Sequence, residues 1–151
     1  MGRYLEEFDV GQVFVTPGRV VTMADVKAFA DLTEDHNPVH VEGEFASRSI
    51  FGGPISHGPM MIGITFGLLR KLDLLDGTII ALKAVEWSFN APIKPGDEVH
   101  VRATVTEARR SSKAPDRGVL SLAIEVRNQD DFTVQAGKVT GIMATRPAMP
   151  A

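Results

Sequence analysis

The chain has 151 residues, a formal net charge of −3 and no cysteine. That length suits one domain, residues 1–151, able to bury about two-thirds of its unfolded surface in a single core without a disulfide, and the missing thiols exclude thiolate catalysis and thiolate metal ligands. Scattered Arg and Lys leave no basic stripe for nucleic acid, no apolar run is long enough to span a bilayer, and the cytoplasm is the expected compartment.

The N-terminal MGRYLEEFDVGQ has no apolar run after a basic stretch, so it does not read as a secretory signal. Glu6 stands where a myristoylation site needs Ser or Thr. Residues 12–21, QVFVTPGRVV, read as a first strand broken by a Pro-Gly turn or bulge. Thr22 then caps a helix, with Asp25 at the capping-box interval in place of Glu. Val26, Phe29, Ala30 and Leu32 form its apolar stripe, which runs to about Thr33 and stops before Pro38.

The segment VEGEFASRSIFGGPIS is too rich in glycine for a regular element and reads as a loop with one helical turn around residues 44–47. The longest apolar helix follows, over residues 58–72, and its apolar character on nearly every side predicts burial on most faces. After Gly77 the period becomes two. TIIALKAVEWSF, EVHVRATVTEAR, VLSLAIEVRNQ and FTVQAGKVTGIMAT predict four long strands, with Val99, Val101, Ala103 and Val105 alternating with His100, Arg102, Thr104 and Thr106. KPGD, SSKAPDRG and NQDD supply the turns between them. Strands after a buried helix predict an α+β arrangement, an antiparallel sheet wrapped around one central helix.

The chemistry concentrates in DHNPVH, residues 35–40. A metal pair of His36 and His40 needs helical spacing, which Pro38 denies, and His57 and His100 stand apart, so no metal and no other cofactor is expected. The turn that Pro38 imposes can fold His40 back toward Asp35, so that both grip one water. Asn37 reads equally as a group orienting that pair and as a cap on the turn. Gly58, before Pro59, lets a ligand approach the amides at a helix start, where negative charge is favoured. His57 beside it reads by itself as an ordinary helix start.

FADLTEDHNPVH at the end of the first helix, SHG opening the central helix and FNAPIKPGDEVHV leading into a strand together resemble the MaoC-like, or (R)-specific enoyl-CoA hydratase 2, family, from about Phe8 to Arg146. The resemblance implies a hot-dog fold and a hydro-lyase that interconverts a trans-2-enoyl thioester and its (R)-3-hydroxy product. It implies CoA as the carrier, with acyl carrier protein as the alternative, and a homodimer or higher homo-oligomer. It makes Asp35 and His40 the catalytic pair, the Gly58 amide the oxyanion donor, and Asn37 the residue that orients the pair.

Substrate contacts are expected from Asn37, His57 and Gly63. Gly63 and Gly67 leave room for an acyl tail that Met60, Met61 and Phe66 are bulky enough to fill. Thioesterases and other dehydratases of this fold commonly carry an acid on the central helix, and none stands between Gly58 and Leu72. A non-catalytic acyl-thioester sensor needs the pocket without the Asp-His pair.

Overall fold

In the computed structural model, which describes residues 1–147, the Pro17-Gly18 break separates two short strands, β1 (Val13–Val15) and β2 (Arg19–Val20). Both pair with the same long strand, β4 (Glu98–Arg110). Helix α1 (Met23–Thr33) begins with the expected reciprocal cap: Thr22 Oγ1 accepts from the Asp25 amide at 3.1 Å and the Asp25 carboxylate accepts from the Thr22 amide at 2.9 Å. Arg19 closes the arrangement with an ion pair to Asp25 at 2.8 Å. Val26 and Ala30 are buried, whereas Leu32 is 81% exposed, because two residues beyond Ala30 the helix presents its other side.

The short helix α2 (Glu44–Arg48) occupies the loop where one helical turn was expected. Helix α3 (Met60–Arg70) starts two residues later than its apolar pattern suggests. Pro59 takes the N-cap position, and the Met60 and Met61 amides reach back three residues, to His57 and Gly58 carbonyls. The helix is also barer than predicted. Met60, Met61, Leu68 and Leu69 are buried, but Gly63 and Gly67 lie on an exposed stripe.

Strands β3 (Ile79–Phe89), β4, β5 (Arg117–Arg127) and β6 (Thr133–Ala144) form the antiparallel sheet, in the order β1-β4-β5-β6-β3. The inward phase of β4, Val99 through Val105, is fully buried against the core that includes Met61, Leu68 and Leu69. Each of those helix side chains contributes roughly 1.5–3 kcal/mol by leaving water. β3 is an edge strand with a free side, and Trp87 is its one position that is not exposed. No helix of the described residues is long and apolar enough to cross a membrane.

The cap gives the first test. Thr22→Ala should destabilise the protein by about 1 kcal/mol, seen as a melting temperature about 2–4 °C lower. Burial raises the Asp25 pKa, but the Thr22 amide and hydroxyl and the Arg19 guanidinium outweigh it and hold the carboxyl below its ordinary value. A depressed folded pKa contributes stability above the unfolded pKa, so that stability should fade as the pH drops below about 4. An Asp25→Asn variant should show a correspondingly flatter dependence of melting temperature on pH in that range.

Candidate active site

Helix α1 ends on Glu34, whose left-handed backbone (φ 62°) turns the chain sharply. A ladder of local hydrogen bonds then carries it through DHNPVH. The Asp35 carboxylate accepts from the Asn37 amide at 3.3 Å, and the Asn37 side-chain oxygen accepts from the Val39 amide at 3.2 Å. Asn37 thereby caps the single 3-10 turn Pro38–His40, with Pro38 at the first position, where no amide is required. The capping role foreseen for Asn37 is present in the structure, and its oxygen is occupied by it.

His40 points inward to the loop before α3. Its Nδ1 donates to the Ile55 carbonyl at 2.8 Å, and the Ile55 amide returns a bond to the Val39 carbonyl at 3.2 Å. A carbonyl only accepts, so the proton of the neutral His40 ring sits on Nδ1 and the Nε2 lone pair is left free. His57 is locked in the opposite sense. Its Nε2 donates to the Asp35 carbonyl at 2.9 Å, while its Nδ1 is buried with no partner among the described residues.

The two imidazoles stack with centroids 3.7 Å apart and planes inclined by 26°, and the Phe29 ring lies 4.9 Å from His57 on a tilted plane. His57 is 1% exposed, whereas Asp35 lies at the surface and His40 is half-buried. Donor atoms of Asp35, His40 and His57 all fall within 4.8 Å of one another. His57, read from sequence as an ordinary helix start, is thus the brace of the site.

Gly58 follows directly. A β-carbon there would meet the Phe89 ring at 2.8 Å, so any larger residue must displace that ring on β3. Its N–H has no hydrogen-bond partner among the described residues. Its carbonyl accepts from the Met61 amide at 3.2 Å and from Gln135 Nε2 at 3.4 Å, and Gln135 in turn accepts from Trp87 Nε1 at 2.8 Å. Sequence reasoning missed Gln135. The signal was its place on the inward phase of β6, two residues before Gly137 and four before Val139, where a polar side chain needs a partner.

Gly63 is not brought to this cluster. It lies with Arg19, Ile64, Gly67 and Lys71 on a separate cleft along the exposed side of α3. Met60 and Met61 belong to the core, while Phe66 and Leu69 line a mainly apolar cavity of about 420 Å³ against Leu82 and Val139 at the far end of the helix. His36 faces Asp31 at 3.7 Å and lines a surface cleft with His40, whereas His100 faces Asp131 at 3.5 Å on β4.

Asp35, His40 and His57 are also a conceivable metal set, and their geometry argues against it. Two imidazoles on one tetrahedral ion diverge, which sets their centroids roughly 5 Å apart, wider than this stack. Each ring also has one nitrogen committed to a carbonyl. Chelator-treated protein titrated with Co²⁺ should therefore show no visible ligand-field band and no rise in melting temperature. Stoichiometric binding that disappears in His57→Phe would contradict this.

Residues 7–127 match the model of the MaoC like domain family. The chain is 38% identical over 103 residues to Protein MaoC of Klebsiella aerogenes, an alignment covering 68% of this chain and 30% of that protein. It is 34% identical over 115 residues to the (R)-specific enoyl-CoA hydratase of Aeromonas caviae, covering 76% of this chain and 81% of that one. The crystal structure of the MaoC-like dehydratase from Rhodospirillum rubrum superposes with a TM-score of 0.86 at 34% identity, over 97% of this chain and 100% of that one. The chain thus spans less than a third of the Klebsiella protein and about four-fifths of the Aeromonas enzyme.

Proposed function

Because this chain belongs to the MaoC-like family of hydratases and dehydratases and has their hot-dog fold, we propose that it reversibly hydrates a trans-2-enoyl-CoA to the (R)-3-hydroxyacyl-CoA. The observation that carries this reading is the locked His40 tautomer, which leaves Nε2 as the acceptor on a ring that has a nitrogen within 4.8 Å of the Asp35 carboxylate. One water has two protons to donate and two acceptors to receive them. Held that way, its lone pairs are free to attack C3 of the enoyl thioester.

As the C3–O bond forms, electron density moves through C2 into the thioester carbonyl. The unpartnered Gly58 amide, at the start of α3, is the donor for the oxygen on which that charge collects. The proton taken from water passes to C2, so hydroxyl and hydrogen arrive on the same face and nothing is oxidised or reduced. Dehydration runs the same steps in reverse. The cavity lined by Phe66 and Leu69 lies about 12 Å along the helix from Gly58 by helical rise, where an acyl tail would end.

A homodimer is part of the proposal. The free side of β3 exposes Ile79, Ile80, Leu82, Val85 and Phe89, an apolar edge suited to a second copy of the chain.

Two measurements test the site. Asp35→Asn and His40→Gln should each lower kcat by about 10²–10⁴-fold while both variants still fold, His40→Gln melting somewhat lower because it loses the ring stack and the bond to Ile55, and the double variant should lose far less than the product of the two. Near-normal turnover in either single variant would remove the pair from the mechanism. Gly58→Ala should cut kcat/KM at least tenfold, since its methyl group pushes on Phe89 beside the oxyanion position, whereas Pro59→Ala should be mild. A folded Gly58→Ala variant hydrating at the normal rate would place the oxyanion donor elsewhere.

A further inference from the structure

A track leads away from Gly58 toward the far end of α3. Ile62, Phe66 and Arg70 stand four residues apart on one face of the helix. Along β3, Phe89, Trp87, Val85, Leu82 and Ile79 pair with residues 135, 137, 139, 141 and 143 of β6. Two register shifts, at Ile80 and Lys83, thus keep all five side chains on the inward side of the sheet. Phe89 closes one end of this track against Gly58, and Leu82 and Ile79 line the cavity of about 420 Å³ at the other.

The cavity is apolar along its walls and charged at its rim. Phe66, Leu69, Leu122 and Val139 form the walls, and Arg70 and Asp76 stand where it meets solvent. The Arg70 guanidinium donates to the Asp76 carboxylate at 2.8 Å, and the two side chains are 68% and 33% exposed. The backbone behind them is held in place: the Gly2 amide donates to the Asp76 carbonyl at 2.6 Å and the Arg3 amide to that of Leu74 at 2.8 Å. This end therefore opens by rotation of side chains, Arg70 above all, without movement of the loop. A rim of packed backbone would reject a tail too long for the cavity. An exposed ion pair contributes little, less than a tail gains by burying a few more methylene groups on its way there. A tail that fills the cavity can push the pair apart and run on into water. The flank of the track along β3, where Ile79 and Leu82 are exposed, is the side that the second copy proposed above would cover, which leaves the Arg70 end as the exit.

We propose that Arg70 and Asp76 form a gate at the far end of the acyl channel, and that the protein accepts long-chain enoyl thioesters by letting the tail leave through it. This rests on the hydro-lyase reading and extends it from the reacting carbons to the tail. A short chain stays within the cavity, a medium one fills it, and a long one opens the ion pair.

The test measures kcat/KM for crotonyl-, octenoyl-, dodecenoyl- and hexadecenoyl-CoA. In the wild type the values should rise while the tail fills the cavity and then hold level through the hexadecenoyl chain. Asp76→Ala, which frees Arg70, should raise the ratio of the hexadecenoyl to the octenoyl value about threefold, and Asp76→Glu should keep the wild-type ratio. Arg70→Trp, which sets a rigid ring over the rim, should lower the ratio about tenfold by making a long tail displace packed apolar surface. A pair with only a structural role would shift the melting curves and leave the ratio unchanged, and that result in the folded variants would overturn the proposal. Hydration of octenoyl-CoA with a steep loss at hexadecenoyl-CoA in the wild type would remove the gate alone, whereas hydration of no thioester in the series would remove the proposed function with it.

Discussion

Two hydrogen bonds from imidazole to backbone carbonyl hold the site in register: His40 Nδ1 to Ile55 and His57 Nε2 to Asp35. Each joins the DHNPVH turn to the loop that enters α3, and each fixes a ring by using up one of its two nitrogens. The second also fastens the backbone of Asp35 itself, so an acid on an exposed turn keeps a defined position beside His40. Stacking of the two rings completes the clamp. The cost is visible in His57 Nδ1, a buried acceptor left without a partner among the described residues, a type of loss worth about 1–3 kcal/mol. A core chosen for stability alone would have an aromatic or aliphatic side chain there.

The rest of the chain serves that clamp. The capping box at Thr22 and the left-handed residue Glu34 fix where α1 begins and where it releases the chain. Asn37 and Pro38 make the turn rigid from within. On the other side, β3 and β6 brace Gly58 through the Phe89 ring and the Trp87–Gln135 pair, leaving its amide unused. The inward faces of β4 and β5 and the buried side of α3 supply the apolar packing that makes these positions reproducible.

Much of the architecture was legible because strong local signals agreed. Period-two alternation marked four long strands, the Thr22–Asp25 interval marked the first helix, and both survived in the fold with ends shifted by a residue or two. Leu32 and the start of α3 were misplaced because an apolar residue shows only that burial is possible, and the rotation of a helix against its sheet decides whether it happens. Within the candidate site, Asp35, His40 and Gly58 were singled out in the sequence by an unusual cluster and a glycine before proline. His57 did not, since its partners are a carbonyl 22 residues earlier and a ring 17 residues earlier. Gln135 depends on a contact 77 residues away, and Gly63 faced away from the cluster for the same reason that Leu32 did.

The clamp can be observed directly. Long-range ¹H–¹⁵N correlation spectra of the histidine rings in the intact protein at neutral pH distinguish the protonated nitrogen from the one with a free lone pair. The predicted pattern is a proton on Nδ1 of His40 and on Nε2 of His57, with His40 Nε2 free to accept from water. A neutral His40 carrying its proton on Nε2, or a His40 ring exchanging freely between the two forms, would contradict the account at its centre.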